Sequence, residues 1–323
     1  GQYRQLTLAY PATFFWKKLS SLWRVWGITS QLEKEGIELF HGLSNELPLN
    51  IHKSRIKSIV TIHDLIFLRY PQYYQSIDRK IYTYKFRKAC ENADKIIAIS
   101  ECTKRDIIRY FNIPDDKIEV VYQGCDVSFT HPVTEEKKEE VRKKYQLPDH
   151  YILNVGSIEE RKNILAAVQA LPMLPQHIHI VIVGRRTGYT EKVEQFIKDN
   201  GLGERVHIIS NVPFNDLPAF YQSAEIFVYP SRFEGFGIPI IEALYSGIPV
   251  VAATGSCLEE AGGPDSIYVN PDDITGLADA FKQIYSNSDK RKNMVEKGRE
   301  FAKRFSEKQQ SEEIINIYKK LIR

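Results

Sequence analysis

Short apolar runs rich in β-branched residues alternate with helical stretches along the chain, the pattern of βαβ units that feed a parallel sheet. In the first half these runs predict strands over 5–9, 38–41, 58–63, 95–100 and 117–122, with helices at about 17–35, 77–92 and 101–111. SIVTIH and KIIAIS are apolar almost throughout, as strands are when helices cover both faces of a sheet. Ser100 reads as an N-cap for the third helix. Between Asp126 and His150 the pattern lapses into Pro132, the charge run EEKKEEVRKK and Pro148. That segment reads as a connector carrying one short helix, with Glu139 near Lys143 and Glu140 near Lys144 on a solvated face.

From YILNVG at 151 the alternation restarts, through HIHIVIVG at 177, RVHIIS at 205, EIFVY at 225, PVVAA at 249 and SIYVN at 266. The expectation is an α/β protein of two doubly wound, Rossmann-like domains: 1–130, a linker at 131–150, and 151–323, whose end from about 272 is helical and can pack back on a neighbouring domain.

Composition narrows the classes. The 323 residues are 43% hydrophobic and 26% charged, which excludes a disordered or low-complexity chain. With 44 lysines and arginines against 41 acids, the net charge of +3 gives no nucleic-acid footprint, so any anion site must be local. Cys90, Cys102, Cys125 and Cys257 lack metal-site spacing and are too sparse for a disulfide framework, which favours a reducing, cytoplasmic setting. No window reaches the ~18 apolar residues of a membrane span. The basic, aromatic stretch 10–26 has two readings: contact with a membrane surface through Lys17, Lys18 and Arg24, or a helix whose Trp16, Leu19, Trp23 and Trp26 stripe packs on its own sheet. The second is preferred, and peripheral contact with the inner membrane face stays open.

The densest chemistry lies at 225–251. A strand ends near Tyr229, a Gly-bearing loop follows, and a helix begins near Ile238 with Pro239 in its first turn. The amides around Phe236, Gly237 and Ile238 would then face an anion at a helix N-terminus. Glu234 stands before that turn and Glu242 beyond it, with seven residues between. Two carboxylates around an anion site suit a nucleoside diphosphate joined to a sugar; the competing reading is a helix-capping Glu242 and an exposed loop acid at Glu234. Elsewhere, His63 ends a predicted strand, where ligands of open α/β sheets bind, and His41, Asn45 and Glu46 share that edge. The histidines at 52, 131, 150, 177, 179 and 207 read as incidental. Asp115–Asp116 and Asp272–Asp273 read as turns or caps, so no metal site is expected.

The run Glu-Gly-Phe-Gly-Ile-Pro-Ile-Ile-Glu followed by Ala-Leu-Tyr-Ser-Gly-Ile-Pro-Val-Val resembles glycosyltransferase family 4, over nearly the whole chain. The resemblance implies a GT-B fold with two Rossmann-like domains facing a cleft. VGSIEERKNI looks like that family's diphosphate-binding turn, which places Gly156, Arg161 and Lys162 at the phosphates. Many members carry an arginine where this chain has Ser157, and Arg161, Arg185 or Arg186 would compensate; a surface turn is the other reading of Arg185 and Arg186. By the same resemblance Glu242 would hold the ribose, Glu234 and His63 would meet the transferred sugar as the catalytic pair, and Val212 would lie against the base. Gly124 and Asp126 would shape the hinge.

The implied activity is retaining, metal-independent transfer of a hexose-type sugar from a nucleotide diphosphate sugar to a hydroxyl of a glycan or lipid-linked acceptor, with no cofactor beyond that co-substrate. The alternative is a non-catalytic nucleotide-sugar-binding module or partner subunit. It arises because the chain starts at what resembles the family's third strand, which leads to the expectation of an N-terminally truncated first domain.

Overall fold

A computed structural model describes residues 8–11 and 17–322. The chain divides into two compact units, one of Gly1–Ile99, Thr103–Val121 and Ile314–Arg323, the other of Ser100–Cys102 and Tyr122–Glu313.

The first unit is built on a parallel sheet in the order β1 (Leu39–Gly42), β2 (Lys57–Ile62), β3 (Lys95–Ala98), β4 (Ile118–Val120). Successive side chains of a strand point to opposite faces, and both faces here are covered. Val60, Ile62, Ile96 and Ala98 pack in a cluster with Ala89, Cys90 and Ile107 on one side. Ile59, Ile97 and Val121 pack on the other against Ile317, from the helix Glu307–Ile322, with Ile314, Tyr318 and Leu321 around it. Each isoleucine so buried contributes roughly 1.5–3 kcal/mol. This is why SIVTIH carries no polar alternation, and why the final turns of the chain belong to the first unit.

His41 is part of that packing. Its Nδ1 lies 2.6 Å from the Tyr318 hydroxyl and its Nε2 2.7 Å from Thr61 Oγ1. With both ring nitrogens engaged it is a structural group, which removes it as an acceptor contact. Glu46 of the same edge is paired with Lys85 at 2.9 Å. Burial pushes the His41 imidazole down from 6.5 to about 4. The fold therefore favours the neutral ring: its contribution is complete above about 6.5 and is lost as pH falls toward about 4. Urea midpoints should drop across that window, and a His41→Asn variant should flatten the slope; an unchanged slope would assign it to other groups.

Two further expectations change in this unit, and a third lies mainly outside the described residues. The strand at 5–9 lies mainly outside the described residues, and Leu8 and Ala9 form no strand. The helix at 17–35 is broken into Ser20–Leu22, a π-helical turn Trp23–Gly27 and Ile28–Lys34. Within its stripe Trp23 is buried, while Leu19 is 36% and Trp26 49% exposed. Trp16 lies outside the described residues.

The second unit carries a six-stranded parallel sheet in the order β10-β9-β8-β5-β6-β7. Its strands are β5 (Tyr151–Val155), β6 (His179–Val183), β7 (Val206–Ile209), β8 (Ile226–Tyr229), β9 (Val250–Ala253) and β10 (Ile267–Val269). The chain winds outward one way from β5 and the other way from β8, so the topological switch falls between these paired neighbours.

Residues 131–150, expected as a connector, fall within this unit. Their helix Glu135–Tyr145 is capped by Thr134, which accepts from the Lys137 amide. Lys143 does pair with Glu139 at 3.3 Å, but Lys144 and Lys137 reach Asp216 at 2.8 and 2.9 Å. Burial would raise the Asp216 carboxyl; hydrogen bonds from Lys144, Lys137 and Tyr145 outweigh it and hold the group at about 2. A nearly buried acid thus takes up charge that the sequence displays as a solvated run.

Candidate functional site

The turn after β5 and the loop after β8 sit side by side at the switch point, and on its other side that turn is pressed against the end of β6. Gly156 has φ +152°, and Gly184, at the end of β6, is so near it that a Cβ on Gly184 would lie 1.8 Å from the Gly156 carbonyl oxygen. Only glycine admits that backbone contact. Beyond Gly156 a 3-10 turn, Glu160–Lys162, leads to Asn163 in the left-handed region at φ 56°. The Asn163 amide donates to Pro230 O at 3.2 Å and Pro271 O at 2.8 Å, tying this turn to the loop after β8. Arg161 adds a bond to Phe233 O, and the Arg232 amide donates to Arg161 O at 2.9 Å.

Glu234 is the centre of this knot. Arg161 Nη1 lies 2.9 Å from its Oε2, and Lys162 Nζ 3.2 Å from its Oε1. The hydroxyls of Ser231 and Tyr229 donate to the same Oε1 at 2.9 and 3.2 Å. The carboxylate is only 13% exposed, which overturns the reading of an exposed loop acid. Burial would raise its pKa, but Lys162 and Arg161 more than offset it, so the acid is held below its ordinary range. Burial likewise opposes the Arg161 charge, and Glu234 outweighs it. Tyr229 and Ser231 were not anticipated; their signal was their place in the same loop, five and three residues before Glu234.

The helix Ile238–Ser246 begins at Gly237, with Pro239 in its first turn as expected. Its preceding loop is pinned by its carbonyls: Cys257 Sγ lies 3.0 Å from Glu234 O and 2.7 Å from Phe236 O, and Ser100 Oγ donates to Gly235 O at 2.8 Å. Among the described residues the amides of Phe236, Gly237 and Ile238 make no hydrogen bond. They remain available to an anion beside two cations. Glu242 lies further along the helix and does not cap it; its Oε2 accepts from the Tyr221 hydroxyl at 2.6 Å. Burial raises its pKa, against the lowering effect of that hydrogen bond.

Among the described residues, the other expected ones make no contact with Glu234, although Glu159 lies 3.7 Å from Arg161. Arg185 is 76% exposed, 3.6 Å from Glu159, and Arg186 pairs with Glu194 at 2.6 Å. Ser157 donates to Glu159 at 2.6 Å. Val212 follows Asn211, itself left-handed at φ 59°, in the loop after β7. In the first unit, His63 follows β2; its amide donates to Asn45 Oδ1 at 2.8 Å, and its Nε2 lies 2.8 Å from Leu43 O. Asp273 caps the helix Ile274–Ser286, as read from the sequence, and Gly124 packs against the Glu307 backbone so tightly that a Cβ would lie at 2.7 Å. Among the described residues, no group of three or more histidines, cysteines or acids is placed to hold a metal ion, and no helix is long and apolar enough to cross a membrane.

The sequence profile of the family described as glycosyl transferases group 1 matches residues 135–301, and that of Glycosyltransferase Family 4 matches 4–129. The chain belongs to the group 1 glycosyltransferases. This glycosyltransferase is 31% identical over 289 residues to the O-antigen chain mannosyltransferase B of Escherichia coli, covering 88% of this chain and 74% of the relative. It is 29% identical over 225 residues to the O-antigen chain mannosyltransferase RfbU of Salmonella typhimurium, covering 70% of this chain and 60% of that one. It spans 31% of the longer serotype-specific mannosyltransferase WbdA of Escherichia coli, at 28% identity over 75% of its own length. Sucrose-phosphate synthase from Thermosynechococcus elongatus superposes with a TM-score of 0.79 at 22% identity, over 97% of this chain and 80% of that one. HepE of Anabaena, in complex with UDP and glucose, gives 0.76 at 17% identity, over 93% and 83%. Both likenesses concern the fold, which is GT-B.

Proposed function

We propose that this glycosyltransferase moves a hexose from a nucleotide diphosphate sugar to a hydroxyl of a glycan or glycolipid acceptor, with retention at the anomeric carbon and without a metal. The observation that carries the reading is the junction of Arg161, Lys162 and the open amides of Phe236, Gly237 and Ile238 around one ionised acid, Glu234. Two phosphates replacing part of the Lys162 and Arg161 pairing would leave both cations compensated, and the helix N-terminus adds a fixed positive end. Gly156 keeps the turn open beside Lys162. Glu242 is assigned to the ribose hydroxyls and Val212 to the base; Arg185 is a peripheral contributor.

In the proposed step the acceptor oxygen forms the new bond to the anomeric carbon while the bond to the β-phosphate oxygen breaks. The acceptor proton passes to that leaving phosphate, and Glu234 meets the sugar as positive character develops. Glu234 has cations on both oxygens, which favours an electrostatic role over that of a covalent nucleophile. The names of the relatives make mannose the first sugar to try, on a polysaccharide or lipid-linked acceptor. With these groups assembled, a module that binds without transferring is the weaker reading.

A panel of nucleotide diphosphate sugars, nucleotide-linked mannose among them, assayed for donor hydrolysis and transfer tests the proposal. Lys162→Ala should lower turnover on the order of 100-fold, the loss of one group that stabilises the leaving phosphate. Near wild-type transfer by that variant would remove the phosphate assignment.

A further inference from the structure

Resting on the reading of Glu242 as the ribose contact, we infer that Tyr221 is its positioning residue, which holds the carboxylate in place and keeps it ionised for donor binding. The two glutamates of the motif are supported in opposite ways. Glu234 has both oxygens occupied and two cations beside it. Glu242 has no ion pair among the described residues, and its one protein hydrogen bond comes from Tyr221 to Oε2, which leaves Oε1 without a protein partner.

A sugar hydroxyl donates more strongly to that open oxygen when the acid is ionised, because the carboxylate accepts on both oxygens whereas protonation turns one of them into a donor. Burial first, and then like charge, work against ionisation, and the tyrosine works for it. The groups on neighbouring elements are Cys125 and Asp126 before the turn Val127–Phe129, Tyr229 on β8, and Glu259 and Glu260 on Leu258–Gly262. Tyr245 is on the same helix, and Arg299, on Ser288–Ala302, donates to Ser246 O at the far end. Asp126 adds like charge and burial adds desolvation, both of which favour the protonated acid. Tyr221 can resist them because its ring cannot move: it is wholly buried, with Phe129 at 5.4 Å edge-on and Phe227 at 5.3 Å. Its hydroxyl therefore reaches Glu242 at one fixed point, and a hydrogen bond to a charged group in such a setting is among the stronger ones.

The test is titration calorimetry with UDP and with GDP from about pH 5 to about pH 9, for the wild type, Tyr221→Phe and Glu242→Gln. Wild-type affinity should fall on the acid side as Glu242 takes a proton. In Tyr221→Phe that fall should move to higher pH by about one unit, weakening binding roughly tenfold in between and converging with wild type at the alkaline end. Glu242→Gln should bind weakly with no such acid limb. A merely structural tyrosine would lower the melting temperature without moving the limb, so an unshifted profile in Tyr221→Phe overturns the inference. Glu242→Gln binding like the wild type would instead overturn the ribose assignment itself. The 2′,3′-dideoxy nucleotide is the control: its affinity should not respond to Tyr221→Phe, and an equal response would overturn the coupling to the ribose.

Discussion

Glu234→Ala is expected to lower turnover by about 100- to 1,000-fold, because it removes the ionised group assigned to the charge that develops on the transferred sugar. The same change leaves Arg161 and Lys162, 14% and 17% exposed, without their shared counterion. Stripping a partner from a buried pair costs about 3–5 kcal/mol, so lost stability must be separated from lost chemistry. Glu234→Gln separates them. It keeps the shape and the contacts of Ser231 and Tyr229 but not the charge, and it should fold better than the alanine variant while transferring as poorly. The sign of the pH effect also follows. Glu234 is held below its ordinary 4.5, so its stabilisation is present above that value and is lost as pH falls through the lower folded one. Turnover measured at saturating donor, beside a thermal melt of each variant, checks the claim. A glutamine variant with wild-type turnover would end the catalytic assignment.

Gly184→Ala should be severely damaging although Gly184 is not itself a proposed ligand group. The added Cβ would lie 1.8 Å from Gly156 O and 2.6 Å from its carbonyl carbon, and backbone on a core strand has no room to retreat. Overpacking of this kind costs about 1–3 kcal/mol where side chains can yield, and more where they cannot. Because Gly156 begins the turn that carries Arg161 and Lys162, the strain should fall on the phosphate site as well. The expected result is a markedly lower melting temperature with weakened UDP or GDP binding in whatever remains folded. By contrast, alanine at Gly188, where a Cβ meets nothing within 4 Å, should be tolerated. Equal melts for the two variants would show that the close approach is not rigid.

The legible part of the fold was its repeating unit. Strands such as SIVTIH and KIIAIS could be placed because a sheet covered on both faces needs apolar side chains at every position, and their counterparts Lys57–Ile62 and Lys95–Ala98 fall within a residue or two of expectation. The donor loop was legible for a related reason. A strand end, a glycine turn and a proline in the first helical turn are local signals, and local chemistry determines where backbone amides go unpaired.

What sequence could not supply was partnership. His41 looked like a site residue at a strand end, yet Tyr318, from the far end of the chain, occupies its ring. The run at 135–144 looked solvated, until Asp216 took two of its lysines. Glu234 and Glu242 could be placed before and beyond the loop, but not the groups that hold each of them.

By itself, then, the sequence determined the alternation of elements, the two-domain α/β architecture and the loop whose amides await an anion, since each depends on side-chain period and short-range backbone geometry. Only the tertiary structure decided which acid is charged and held by cations and which depends on one tyrosine. Ionisation depends on burial and on charges a few ångströms away, and those neighbours come from β5, β8 and the helix Leu217–Ser223, brought together by the winding of the sheet.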